Sequence, residues 1–128
     1  MLKIVASFLF GIALTILFYN PKKFVEMRID GQPYRLEIAD TNVKRAKGLM
    51  LRKKLPRDGG MVFIFPSEGR HAFCMYKTLI PLKMIWLDEN WNVVDMAKNM
   101  LPCESKNPAM CKTYRPRKSA KYVVEINP

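Results

Sequence analysis

With 128 residues, 49% of them hydrophobic and 26% charged, the chain has room for one modest domain and too much apolar content to stay disordered. Its 22 Lys and Arg against 11 Asp and Glu give a net charge of +11, which excludes an acidic scaffold and favours anionic partners such as acidic lipid, nucleic acid or polyanionic glycans. Lys3 is the only charge in residues 1–21, so nearly all of that field belongs to the remainder of the chain.

Residues 4–19 (IVASFLFGIALTILFY) form an uncharged run. As a helix it would be about 24 Å long, a little short of a ~30 Å hydrocarbon core. Met1, Leu2 and the interfacial Tyr19–Asn20 pair extend it, and Lys3 can snorkel. A cleaved signal peptide is the rival reading. Bulky Phe18 and Tyr19 followed by Asn20-Pro21 make a poor cleavage site, which favours an uncleaved anchor over 1–21 and a domain over 22–128. Flanking charges (Lys3 against Lys22, Lys23 and Arg28) slightly favour a cytoplasmic domain, whereas the cysteines described below favour the opposite side.

Val25, Met27 and Ile29 alternate with polar residues, as do Tyr34, Leu36 and Ile38, and Asp30-Gly31 between them predicts a β-hairpin. Asp40 or Thr41 can cap a short helix in which Val43, Ala46 and Met50 share a face, with Lys44, Arg45 and Lys47 outward and Gly48 at its end or bend. A basic loop, Arg52-Lys53-Lys54…Arg57, leads to the apolar run 61–65, a predicted central strand stopped by Pro66. Further strands are predicted at 71–76, 82–87 and 91–96, the last two turning at Asp88-Glu89-Asn90, and at 120–126 with Tyr122, Val124 and Ile126 on one face. Six short strands and one helix predict a mainly β sandwich or barrel.

Catalytic chemistry finds little purchase. Nucleophilic catalysis needs a base beside the nucleophile, and His71 is the single imidazole. Asp58-Gly59-Gly60 lacks phosphate-loop spacing, and Asp88-Glu89 reads first as a turn. Cys74, Cys103, Cys111 and His71 lack the short pair spacing of a structural zinc site, so no metal and no cofactor is expected. Nine methionines invite a soft-metal reading, but gap-filling in a core explains them better. Cys74 on its expected strand reads as a buried small hydrophobe. Cys103 and Cys111 close a short Pro-containing loop as a disulfide, as two free thiols, or as metal ligands, the disulfide being favoured. A second basic cluster spans Lys112, Arg115, Arg117, Lys118 and Lys121 around Tyr114, without a nucleic-acid-binding motif.

Gly48-Leu49-Met50, Gly60-Met61-Val62-Phe63-Ile64-Phe65, Met75-Tyr76-Lys77-Thr78 and Pro81-Leu82-Lys83 occur in an order that resembles the uncharacterised domain family 192 (UPF0127-type). Pro102-Cys103, Cys111, Tyr114 and Tyr122-Val123-Val124-Glu125 fit the same resemblance, which covers roughly residues 25–126. It implies a compact jelly-roll-like β domain, often exported or membrane-anchored, with no established activity. Three positions depart from the family pattern: Cys74 for Trp, Lys77 for Asn and Lys83 for Asp.

The expectation is therefore a single-pass, non-catalytic binding or assembly module, its soluble domain outside the cytoplasm. Met50, Met61, Met75, Lys77, Thr78 and Lys83 are its candidate surface for an anionic ligand or a protein partner. The alternatives are an enzyme on an anionic or sugar-like substrate, and a cytoplasm-facing basic module on acidic lipid or nucleic acid.

Overall fold

The computed structural model describes residues 21–128, and the apolar run 4–19 lies outside them. Six strands, β1 (Phe24–Ile29), β2 (Gln32–Ala39), β3 (Gly59–Gly69), β4 (Leu82–Leu87), β5 (Val93–Met100) and β6 (Ala120–Ile126), form one sheet in the order β1-β2-β3-β6-β4-β5. The helix α1 (Asn42–Lys47) crosses between β2 and β3, which pair in parallel, while every other pair is antiparallel.

The expected two-sheet sandwich or closed barrel gives way to a single open sheet, because β6 pairs with β3 on one side and β4 on the other and so fuses the two halves. Among the described residues, strands β1 and β5 pair with nothing at their outer edges. The sheet still curls. Met27 and Ile29 of β1 meet Val93 and Met96 of β5 across one cavity floored by Ile85, Leu87 and Val124.

Local chemistry sets most boundaries. Asp30 and Gly31 take φ of 50° and 77°, the two left-handed positions of a tight hairpin turn. The Thr41 hydroxyl accepts from Lys44 N at 3.2 Å, and the Gly48 N–H (φ 48°) donates to the Lys44 carbonyl to end α1. The helix buries none of its residues, and Val43 is 76% exposed. Six residues are too few to carry an apolar stripe as far as Met50, and Arg45 holds the helix down instead. Its guanidinium donates to the Ile64 carbonyl at 2.8 Å and lies 5.3 Å over the Phe65 ring.

Strand β3 runs through Pro66 rather than stopping there. Pairing with β2 ends at Phe63, and the register with β6 breaks between Ile64 and Gly69, so the missing N–H costs no ladder bond. The expected strand 71–76 is absent. Its backbone makes one isolated bridge, Phe73 to Tyr114, and otherwise packs as a loop. Cys74 within it is exposed rather than buried.

Both faces of the sheet are covered, as its period-2 alternation requires. Leu36, Val62, Ile85, Leu87, Val124 and Ile126 lie on the concave face with the apolar side chains of β1. Met61, Phe63, Met84, Trp86 and Val123 lie on the other face, beneath the loops that carry Leu49, Met75 and Cys103. Cys103 and Cys111 form a disulfide with a Cα–Cα distance of 5.6 Å. Replacing both by Ser is expected to lower stability by roughly 2–3 kcal/mol, read as a shift in the urea midpoint. An unchanged midpoint would show that the Cys103 N–H bond to the Met75 carbonyl and packing hold the loop without the bridge.

Candidate functional site

Strand β6 lies between β3 and β4 near the centre of the sheet, and its last four residues, Val123 to Ile126, are all buried. Tyr122, Val124 and Ile126 occupy the concave face. Glu125 therefore points to the opposite face, in register with Met61 of β3 and Met84 of β4. It is 6% exposed. Burial pushes its carboxyl up to about 8, and among the described residues no cation or hydrogen-bond donor offsets that shift. Trp86 Nε1, on the same face, is the one fully buried side-chain donor among the described residues with no hydrogen-bond partner.

Above Glu125 a cavity of about 310 Å³ opens between α1, β3 and the loop that follows it. Phe63, Phe65 and Phe73 form an aromatic wall with edge-to-face contacts at 5.0 Å and 6.1 Å. His71 stacks on Phe65 at 3.7 Å and contacts the Ser67 carbonyl through Nε2 at 3.0 Å, a supporting position behind that wall. Met50 and Leu49 line the opposite side, Thr78 and Glu125 supply oxygen atoms, and Arg45 and Lys47 bring positive charge. The Thr78 hydroxyl makes only a long 3.4 Å bond to the Tyr76 carbonyl, leaving its lone pairs available.

Two of the six residues singled out in the sequence, Met50 and Thr78, line this cavity. Met61 and Met75, each 3% exposed, belong to the core beneath it. Lys77 is exposed, with φ 53°, and its ammonium lies 5.4 Å from the Tyr76 ring centroid. Lys83 pairs with Ile126 and so takes the concave face. The six do not form one site. The residue that organises the cavity, Glu125, went unassigned as a candidate. Its signal was present in β6, whose alternation sets Val123 and Glu125 on one face, but recognising a buried acid required knowing that this strand is central.

The turn carboxylate Asp88 has structural work. Asp88 Oδ1 accepts from the backbone N–H of Asn90 and Asn92, both at 2.9 Å. These bonds, Asn92 first, hold its carboxyl below the usual value.

A curled, open six-stranded sheet with one buried acid under an aromatic-walled pocket is the class of domain that fold and site define. The chain belongs to the family described as DUF192, Uncharacterized ACR, COG1430, whose profile matches residues 25–128. It is similar to the UPF0127 protein TK1120 of Thermococcus kodakarensis, 33% identical over 93 residues, which are 71% of this chain and 52% of that protein. It is also similar to the UPF0127 protein PYRAB11210 of Pyrococcus abyssi, 36% identical over 96 residues, 71% of this chain and 69% of that one. The chain thus spans about half the length of its Thermococcus relatives. Among solved structures it resembles a protein of unknown function from Novosphingobium aromaticivorans, with a TM-score of 0.69 and 27% identity over 83% of this chain and 73% of that one. A second, from Sinorhizobium meliloti, matches with a TM-score of 0.67 and 25% identity over 85% and 81% of the two chains.

Proposed function

We propose that this protein is a non-catalytic binding module, held at a membrane by residues 4–19, whose domain works outside the cytoplasm and takes a small ligand in the pocket above Glu125. The observation that carries the reading is Glu125 itself, an almost fully buried carboxyl with no partner among the described residues, at the floor of an open cavity. A neutral acid there offers an O–H donor to an amide or carboxylate oxygen, and its carbonyl can also accept from an amide N–H. The phenyl wall suits a flat apolar body, and Arg45 and Lys47 favour negative over positive ligand charge. The Cys103–Cys111 bridge supports an oxidising compartment, since such bonds persist outside the reducing cytosol.

The test is ligand-induced stabilisation of the full chain in detergent, with benzamide and benzoate as probes. At pH 6.5 each is expected to raise Tm and to perturb the resonances of residues 45–50 and 72–78, whereas benzylamine does neither. At a free concentration tenfold above Kd the gain is about 1.4 kcal/mol. Glu125→Ala should abolish the effect and Glu125→Gln, a neutral donor, should retain it for benzoate. Benzylamine binding in preference to benzoate would sink the reading.

One observation favours an enzyme instead. A carboxyl with a pKa of about 8 titrates near neutrality, where general acid–base groups work best. Glycoside hydrolysis commonly uses a pair of carboxylates, and the pocket holds one. Turnover of a sugar-like or anionic substrate that disappears in Glu125→Gln would select that reading over binding alone.

A further inference from the structure

On the other side of α1 lies a second hollow, of about 240 Å³, lined by Lys22, Lys44, Lys47 and Arg52 around a single carboxylate, Glu37. The carboxylate is engaged: Arg52 reaches it at 2.7 Å and Lys22 at 3.9 Å. Four cations thus face one anion, and exposed Lys53 and Lys54 follow directly in the chain. A large apolar side chain of the same hollow stands among them in water, Val43 at 76% exposure.

The position of this face along the chain is informative. Lys22 follows the apolar run by three residues, so at full extension the hollow lies within about 10 Å of the run's end. The backbone is fixed from Lys23 onward, because the Lys23 carbonyl accepts from Ile38 N at 2.8 Å.

We infer that the face built by Lys22, Lys44, Lys47 and Arg52, with Val43 projecting from it, docks on anionic phospholipid, a head-group phosphate occupying the basic hollow. The lysines supply the attraction, which decays over a screening length of about 8 Å at physiological salt, and the apolar side chain of Val43 enters the interface. The opposite side of α1, with the Glu125 pocket, stays open to ligand while the face is docked. The inference rests on residues 4–19 lying in a bilayer, and the experiment separates the two.

The full chain is incorporated into nanodiscs of phosphatidylcholine alone or of phosphatidylcholine with phosphatidylglycerol, and amide exchange of residues 42–54 is measured. Exchange is expected to slow by roughly tenfold in the anionic discs only, and to recover at about 0.5 M salt. A variant carrying Lys44→Gln, Lys47→Gln, Lys53→Gln and Lys54→Gln, which leaves the Arg52–Glu37 pair intact, should lose the protection while keeping the wild-type Tm. Equal exchange in both discs overturns the docking face. A chain that co-elutes with neither disc overturns the anchor alone. The same chain is then floated with vesicles of the two compositions. Salt-sensitive flotation with the anionic ones, lost in the variant, upholds the face, and its absence overturns it.

Discussion

Glu125→Gln is expected to stabilise the domain by roughly 5 kcal/mol above pH 9 and to change little below pH 4. The acid sits near 4.5 in the unfolded chain and about 8 in the folded one. Between those values the native state holds a proton that the unfolded state has released, so wild-type stability falls as pH rises through this window. The full contribution is present below about 4.5, and the loss is complete only once pH passes about 8. Gln has the same shape and no charge to desolvate, so the variant's stability curve should lack this fall. Urea midpoints of the two proteins at pH 5, 7 and 9 check it: parallel curves would mean that Glu125 is solvated or paired in solution. Added stability in Glu125→Gln, together with loss of benzoate binding in Glu125→Ala, is the signature of a site residue, because structures retain costly buried acids where they do work.

Gly60→Ala is expected to cost roughly 3 kcal/mol or more, with a lowered urea midpoint as the readout. A Cβ built at Gly60 meets the backbone carbonyl oxygen of Glu125 in hard overlap, and the Ile126 side chain at 2.8 Å. Neither neighbour is free to move, since β6 is clamped by β3 and β4 together. Relief by sliding β6 would also shift Glu125 away from the pocket. Gly31→Ala is the control. Its Cβ enters open space and the penalty is confined to φ 77°, about 1–2 kcal/mol. Comparable losses in the two variants would refute close packing at Gly60 as the cause.

Strands β4 and β6 occupy the expected bounds, 82–87 and 120–126, and the Asp30-Gly31 hairpin and Thr41-capped helix sit where local chemistry puts them. In each case alternation, a turn dipeptide or a cap acts within a few residues. The errors come from partners distant in sequence. His71-Ala72-Phe73-Cys74-Met75-Tyr76 has strand-like composition, yet its neighbour in space is Tyr114 and they share a single bridge. Pro66 breaks strands that are paired on both sides, and at that point β3 is paired on neither. Lys77 and Lys83 are close in sequence but point to different surroundings, because one lies in a loop and the other on the concave face of β4. Glu125 belongs with these errors. Its chemistry follows from strand order, which no local pattern encodes.

The same strand order dictates when the domain can be assembled. Residues 24–69 make one half of the sheet and residues 82–100 the other, and no ladder joins them directly. The seam between them is filled by residues 120–126, which leave the ribosome after both halves. Translation at roughly 5–20 residues per second therefore leaves two half-sheets, each with an open edge, waiting for their shared centre strand. Throughout that interval the pocket has walls and no floor, so a ligand that needs Glu125 recognises only a sheet already closed by β6.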